Sequence, residues 1–400
     1  MRPEKTAAVT VTNKLERNIL FNRELLIIFG VTLVSVIGVT SIAPAFPHIA
    51  RSLELSEAEV VMLITVFTFP GIFLAPIMGV LADRIGRKKV IVPSLVLFGI
   101  AGAACACTDN YRLILVFRFC AGVGGASLGG LNQTVIGDMF EGDRRSSALG
   151  YNASVLGIGT MVYPAIGGAL ALLGWSHPFL LSLLALPVAL LVWLGLRNPE
   201  PSGTVPLRAY TAAALRFISG GKALPAFAAT LATFILLYGG LLAYFPFLMH
   251  GRFGARPSTI GLMLAATSLT TIIGSFHLGG ALRRFRPRTI VTVSFFMYAS
   301  AFVLIIHART MEFMLVPVLI YGLANGVNIP CVQTLLTGSV PMEYRGIFMS
   351  FNSMVLRLGQ TAGPMLAGIA FVTGGMNGVL YSSAAFALVS LVALAIFIRE

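Results

Sequence analysis

Twelve apolar stretches, each about the ~20 residues that cross a bilayer as a helix, fill this 400-residue chain and leave little between them. They can be read at about 25–48, 60–82, 89–107, 111–135, 146–173, 176–196, 224–249, 258–282, 289–307, 312–336, 346–372 and 376–398. Backbone in lipid has no water to bond, so only helices and closed barrels span a bilayer. Continuous apolar runs of this length are helices, and the chain is expected to be an all-α integral membrane protein. Charged residues make up 11% of the chain, against about a quarter in soluble domains. The net charge of +13 could suggest a nucleic-acid partner, but the Lys and Arg residues lie in short loops between apolar spans, with no basic domain to hold one.

The basic residues set an orientation instead. With both termini on one side, that side collects Lys and Arg from residues 1–23, 83–90, 137–145, 197–222, 283–288, 341–345 and the C-terminus, about 21 in all. Only Arg51, Arg112, Arg252, Arg256 and Arg309 fall on the other side. Short basic loops stay in the cytoplasm, so both termini are expected there. Residues 1–23 read as a cytoplasmic tail, and the apolar run after them is too long for a cleaved signal. Residues 24–197 form a first six-helix bundle, 198–223 a cytoplasmic linker and 224–400 a second six-helix bundle. The linker is rich in Pro and Gly, and Leu207–Ile218 suits a short interfacial amphipathic helix.

The two bundles repeat at a spacing of 200 residues: Gly79 matches Gly279, Arg84 matches Arg284, Gln133-Thr134 matches Gln333-Thr334, and Arg145 matches Arg345. Asn152 matches Asn352, Gly159 matches Gly359, Pro164 matches Pro364 and Gly168 matches Gly368. Between the second and third spans lies Gly79-Val-Leu-Ala-Asp-Arg-Ile-Gly-Arg-Lys-Lys89, expected to be a tight charged loop. This stretch, with the six-plus-six repeat, resembles the signature loop of the major facilitator superfamily. The resemblance covers nearly the whole chain and implies two pseudo-symmetric bundles with a substrate site between them near the midplane. It assigns a cytoplasmic gate to Gly79, Asp83, Arg84, Gly86, Arg87 and Lys88, with Asp138 as a further member.

The fifth span carries Gly150-x8-Gly159-x3-Tyr163-Pro164-x2-Gly167-Gly168, which is similar to the antiporter motif of bacterial drug exporters, with Tyr163 in place of a glycine. Gly159, Pro164, Gly168, Gly359 and Pro364 are expected at hinges where the halves meet, since glycines allow close approach and proline removes a backbone donor. Arg118 in the fourth span resembles the family's R-x-x-Q-G element, with Ala121 where the glutamine stands. Arg357 lies on a stripe with Ser350, Ser353 and Thr361. A charged side chain within a span costs several kcal/mol and marks a cavity or a partner. Tyr238, Tyr321, Asn325 and Asn328 add aromatic and amide groups suited to a drug-sized ligand. Several of these polar groups could equally do no more than tie helices together.

The resemblance implies a proton-coupled exporter of small organic compounds in the bacterial inner membrane. All fifteen acidic residues fall in tails, loops or helix ends, so the proton carriers are limited to Glu24, His277 or the substrate itself. An organic-anion transporter using Arg118 and Arg357 is the alternative. Small-molecule substrate, membrane lipids and protons are the expected partners of a monomer, with no nucleic acid, cofactor or metal. Cys105, Cys107, Cys120 and Cys331 lie in spans and read as inert thiols. Gly125-Ala-Ser127-Leu-Gly129 matches a hydrolase nucleophile motif, but without the strand that motif needs. No phosphate-binding loop is present, and the chain is expected not to be an enzyme.

Overall fold

The computed structural model describes residues 22–197, 223–338 and 345–397, and every regular element among them is a helix. Ten spans are α1 (Arg23–Ser52), α2 (Glu57–Ile85), α3 (Arg87–Cys107), α4 (Tyr111–Met139), α5 (Gly142–Leu170), α6 (His177–Gly195), α7 (Leu224–Phe253), α8 (Pro257–Arg284), α9 (Pro287–His307) and α10 (Leu315–Gly338). The final helical run, Arg345–Phe397, holds two more, because Gly375 takes φ 59° and ψ −156° and breaks it. Residues 345–374 are α11 and 376–397 are α12, which makes twelve. The tail to residue 21 and the expected amphipathic helix Leu207–Ile218 lie outside the described residues.

Helix ends follow local chemistry. Asn22 starts α1 by accepting the N–H groups of Glu24 and Leu25 at 2.9 and 3.1 Å. Ser56 and Glu59 form a reciprocal capping box at the start of α2. The charged stretch Gly79–Lys89 is not the loop that its composition suggests. Helix α2 continues to Ile85, and Gly86 alone, at φ 100°, turns the chain into Arg87 of α3. A side chain strains that backbone, so glycine is required.

Helices α1–α6 and α7–α12 form the two halves, which meet where α2 packs on α11 and α5 on α8. Lipid gives helices little hydrophobic reason to associate, so polar ties and small residues do the holding. In the first half Thr32 joins three helices, donating to Asn152 of α5 at 2.5 Å and accepting from Asn132 of α4 at 2.8 Å. The second half repeats the device with two threonines a turn apart. Thr230 donates to Asn352 of α11 at 2.8 Å, and Thr233 accepts from Asn328 of α10 at 2.7 Å. Each such bond contributes about 0.6 kcal/mol. The outside is apolar, with Val372, Phe276 and Leu173 at 78%, 77% and 72% exposure, as a lipid-facing surface requires. One end of the molecule carries Gly86 and the basic turn between α8 and α9; the other, here the far end, carries Ser56, Gly254 and Gly375.

Candidate functional site

Halfway along α11, the repeat breaks in one informative place. Where α5 has Gly157, α11 has Arg357. Its side chain crosses the seam to small residues of the other half: a methyl at Gly71 of α2 would lie 3.1 Å from Arg357 Cδ, and one at Gly129 of α4 would lie 3.9 Å from Nη2. Arg357 Nη1 donates to Gln360 Oε1 at 3.1 Å, and Gln360 Nε2 donates to the Tyr238 hydroxyl at 2.9 Å. Tyr238 lies beside Phe234, their rings tilted by 41° with centroids 6.2 Å apart. One turn along, Thr361 and Thr68 bring hydroxyls from opposite halves within 2.9 Å. Both ion pairs among the described residues belong to Arg87, so Arg357 has no carboxylate within reach there.

The other sequence-selected polar groups lie within a half. Arg118 is 2% exposed; its Nε donates to the Leu63 carbonyl at 3.0 Å and its guanidinium sits 4.2 Å over the Phe67 ring. Tyr321, Asn325 and Asn328 are buried between α7, α9 and α10. Tyr298 donates to Asn325 at 2.7 Å and packs against Tyr321, the rings tilted by 46° with centroids 4.9 Å apart. The structure therefore brings Tyr238 to Arg357 and leaves Arg118, Tyr321, Asn325 and Asn328 as internal ties. Gln360 and Thr68 escaped the sequence reading; Gln360 stands three residues after Arg357, on the same helical face.

At the basic end, Arg87 is 8% exposed and pairs with Asp83 at 3.1 Å and with Asp138 of α4. Lys88 Nζ donates to the Leu196 carbonyl at 3.2 Å, and Arg84 is exposed. This cluster joins α2, α3, α4 and the end of α6, all of one half. Glu24 accepts the Arg197 N–H at 3.3 Å at the same end. His277 is exposed on α8, its ring bonded to the Ile273 carbonyl of its own helix. Neither reaches Arg357.

The halves close against one another toward the far end. Pro164 has no N–H, which leaves the Thr160 carbonyl four residues back without its helical donor. Ser268 of α8 supplies one from the other half at 2.9 Å. Just beyond, backbone meets backbone: a methyl at Gly261 would lie 2.2 Å from the Pro164 carbonyl oxygen, and one at Gly168 would lie 2.4 Å from that of Pro257. Phe46 stacks on Phe247 at 6.2 Å, and Arg51 meets His250 at 2.8 Å. Gly159, by contrast, packs on Leu33 and Val36 of its own half, and Gly359 on Leu231 and Phe234 of its own.

The sequence model of the Major Facilitator Superfamily matches residues 28–256 and 248–400. The tetracycline resistance protein, class C, of Escherichia coli is 26% identical over 353 residues, covering 86% of this chain and 89% of that one. The bacillibactin exporter of Bacillus subtilis is 25% identical over 376 residues, covering 91% and 93%. Among solved structures, the nucleoside transporter NupG superposes with a TM-score of 0.79 over 94% of this chain and 100% of that one, at 12% identity.

Proposed function

The chain belongs to the major facilitator superfamily and is a multi-pass membrane transporter, and from that premise we propose that it exports small organic compounds across the bacterial cytoplasmic membrane, coupled to proton entry. The relatives named as a resistance protein and an exporter support the direction of transport. The observation that carries the reading is the Arg357–Gln360–Tyr238 chain, set at mid-depth where both halves meet over Gly71 and Gly129. A solute there is reached from either side as the halves rock.

With the basic end in the cytoplasm, the contacts of Ser268, Gly261 and Gly168 close the outer face. The Phe46–Phe247 stack and the Arg51–His250 contact add to that closure. This is an inward-open arrangement, ready to load from the cytoplasm. In our reading Arg87, held by Asp83 and Asp138, sets the inner gate, and the proton enters in exchange for a solute that leaves without it, with Glu24 and His277, away from the central chain, as the side chains left to take it up. One chain supplies the complete site, as a monomer requires.

Counterflow in proteoliposomes tests the function. Preloading with a transported compound should accelerate entry of its labelled form, and a pH gradient should drive accumulation against concentration. Acceleration without any response to the gradient would leave a facilitator and remove the proton coupling.

A further inference from the structure

We propose that the central site selects organic anions, specifically aromatic or conjugated carboxylates and phenolates; this rests on the transporter reading and names its substrate class. The argument starts from hydrogens. A guanidinium can only donate, so Arg357 fixes the Gln360 side chain with its oxygen toward Nη1, and the amide hydrogens then point to Tyr238. The Tyr238 oxygen accepts one of them, and its own proton is left to donate onward. Each link donates in the same direction along the chain. Both ends of it, the Nη2 edge of Arg357 beside Gly129 and the hydroxyl of Tyr238, present donors. A ligand that fits must bring acceptors.

Charge agrees with this direction. No carboxylate lies within ion-pair distance of Arg357 among the described residues, and Glu24, Glu57, Glu59, Asp83, Asp138 and Asp143 all stand at helix ends. Arg118, enclosed in the first half, adds a second positive charge inside the spans. At mid-depth, low dielectric and weak screening make an uncompensated guanidinium attract anions and repel cations strongly. Gly71 lets the Arg357 side chain lie close against α2, where a methyl would sit 3.1 Å from Cδ and 3.2 Å from Nε, and a methyl at Gly129 would stand in ordinary contact with Nη2 at 3.9 Å. The Phe234–Tyr238 pair supplies an aromatic wall on the same helix as the terminal donor, which favours a flat ligand.

Three compounds of one shape separate the charge from the fit: naphthoate, naphthamide and naphthyltrimethylammonium. Binding to the full-length protein in detergent is read by thermal shift, and flux by uptake into proteoliposomes. Naphthoate should bind at least about ten-fold more tightly than the other two. Arg357→Ala should weaken it roughly a hundred-fold, Arg357→Lys should recover part of that because it keeps the charge without the planar fork, and Tyr238→Phe should weaken it several-fold. Equal or tighter binding of the ammonium compound, no naphthoate binding up to millimolar concentration, or an anion preference that survives in Arg357→Ala would each overturn the substrate class. Should Arg357→Ala fail to fold, the Arg357→Lys and Tyr238→Phe arms decide. Naphthoate that binds as expected but never crosses the vesicle membrane would leave the class standing and overturn the transport reading instead.

Discussion

Arg87 is where two carboxylates converge on one nearly buried cation. Its side chain is 10% exposed, against 33% for Asp138 and 49% for Asp83, so the two acids are unequal partners. Water competes less for the Asp138 pair, and Asp138→Asn should cost about 2 kcal/mol, while Asp83→Asn should cost under about 1 kcal/mol. Melting of the two variants in detergent checks the order. Flux should fall strongly in both; flux that tracks stability alone would make the cluster structural and not a gate. At this scale the charges themselves were legible, because a charge within a span is costly enough to stand out. Their surroundings were not. Arg118 and Arg357 look alike as letters, yet one is folded under Phe67 and the other crosses the seam. Gln360 was overlooked because a neutral amide carries no such penalty, although its spacing from Arg357 was a usable signal.

Prolines act at the scale of the helix. The Thr160 carbonyl released by Pro164 takes Ser268, and the Gly326 carbonyl released by Pro330 takes Ser275 of the same helix at 2.9 Å. Helix α8 thus tops up two proline-broken ladders, one in each half. Pro164→Ala restores a donor that reclaims Thr160, and Ser268→Ala removes the substitute. Each should loosen the α5/α8 seam by about 1 kcal/mol, and the double variant should cost no more than one of them. Spin-label distances across the far end measure that closure. Pro364→Ala should move it less, because Gln360, four residues before it, shows no donor to its carbonyl from the other half among the described residues. The spans were legible from apolar length and the charged turns between them. The wide π-helical stretch Leu236–Tyr244 of α7 was not, since it passes where Gly239 and the Gly363 carbonyl of α11 leave no space for a methyl, a contact remote in sequence.

Across the whole molecule, the repeat of Asn152 and Asn352 announced the pseudo-symmetry, and both asparagines make equivalent ties to the first helix of their half. What a repeat cannot reveal is which end is shut, because both access states use the same residues. That depends on the far-end meeting of Gly261 with Pro164 and Gly168 with Pro257. Main chain faces main chain there, and neither side has a rotamer to turn aside. One added carbon in Gly261→Ala or Gly168→Ala would therefore act as a doorstop, holding the outer doorway ajar while each half stays folded. Maleimide labelling should rise outside and fall inside, with turnover nearly abolished and melting little changed. Unchanged labelling would refute the wedge. Such a variant would turn a cycling transporter into a standing receptor, open to blockers too polar to enter the cell.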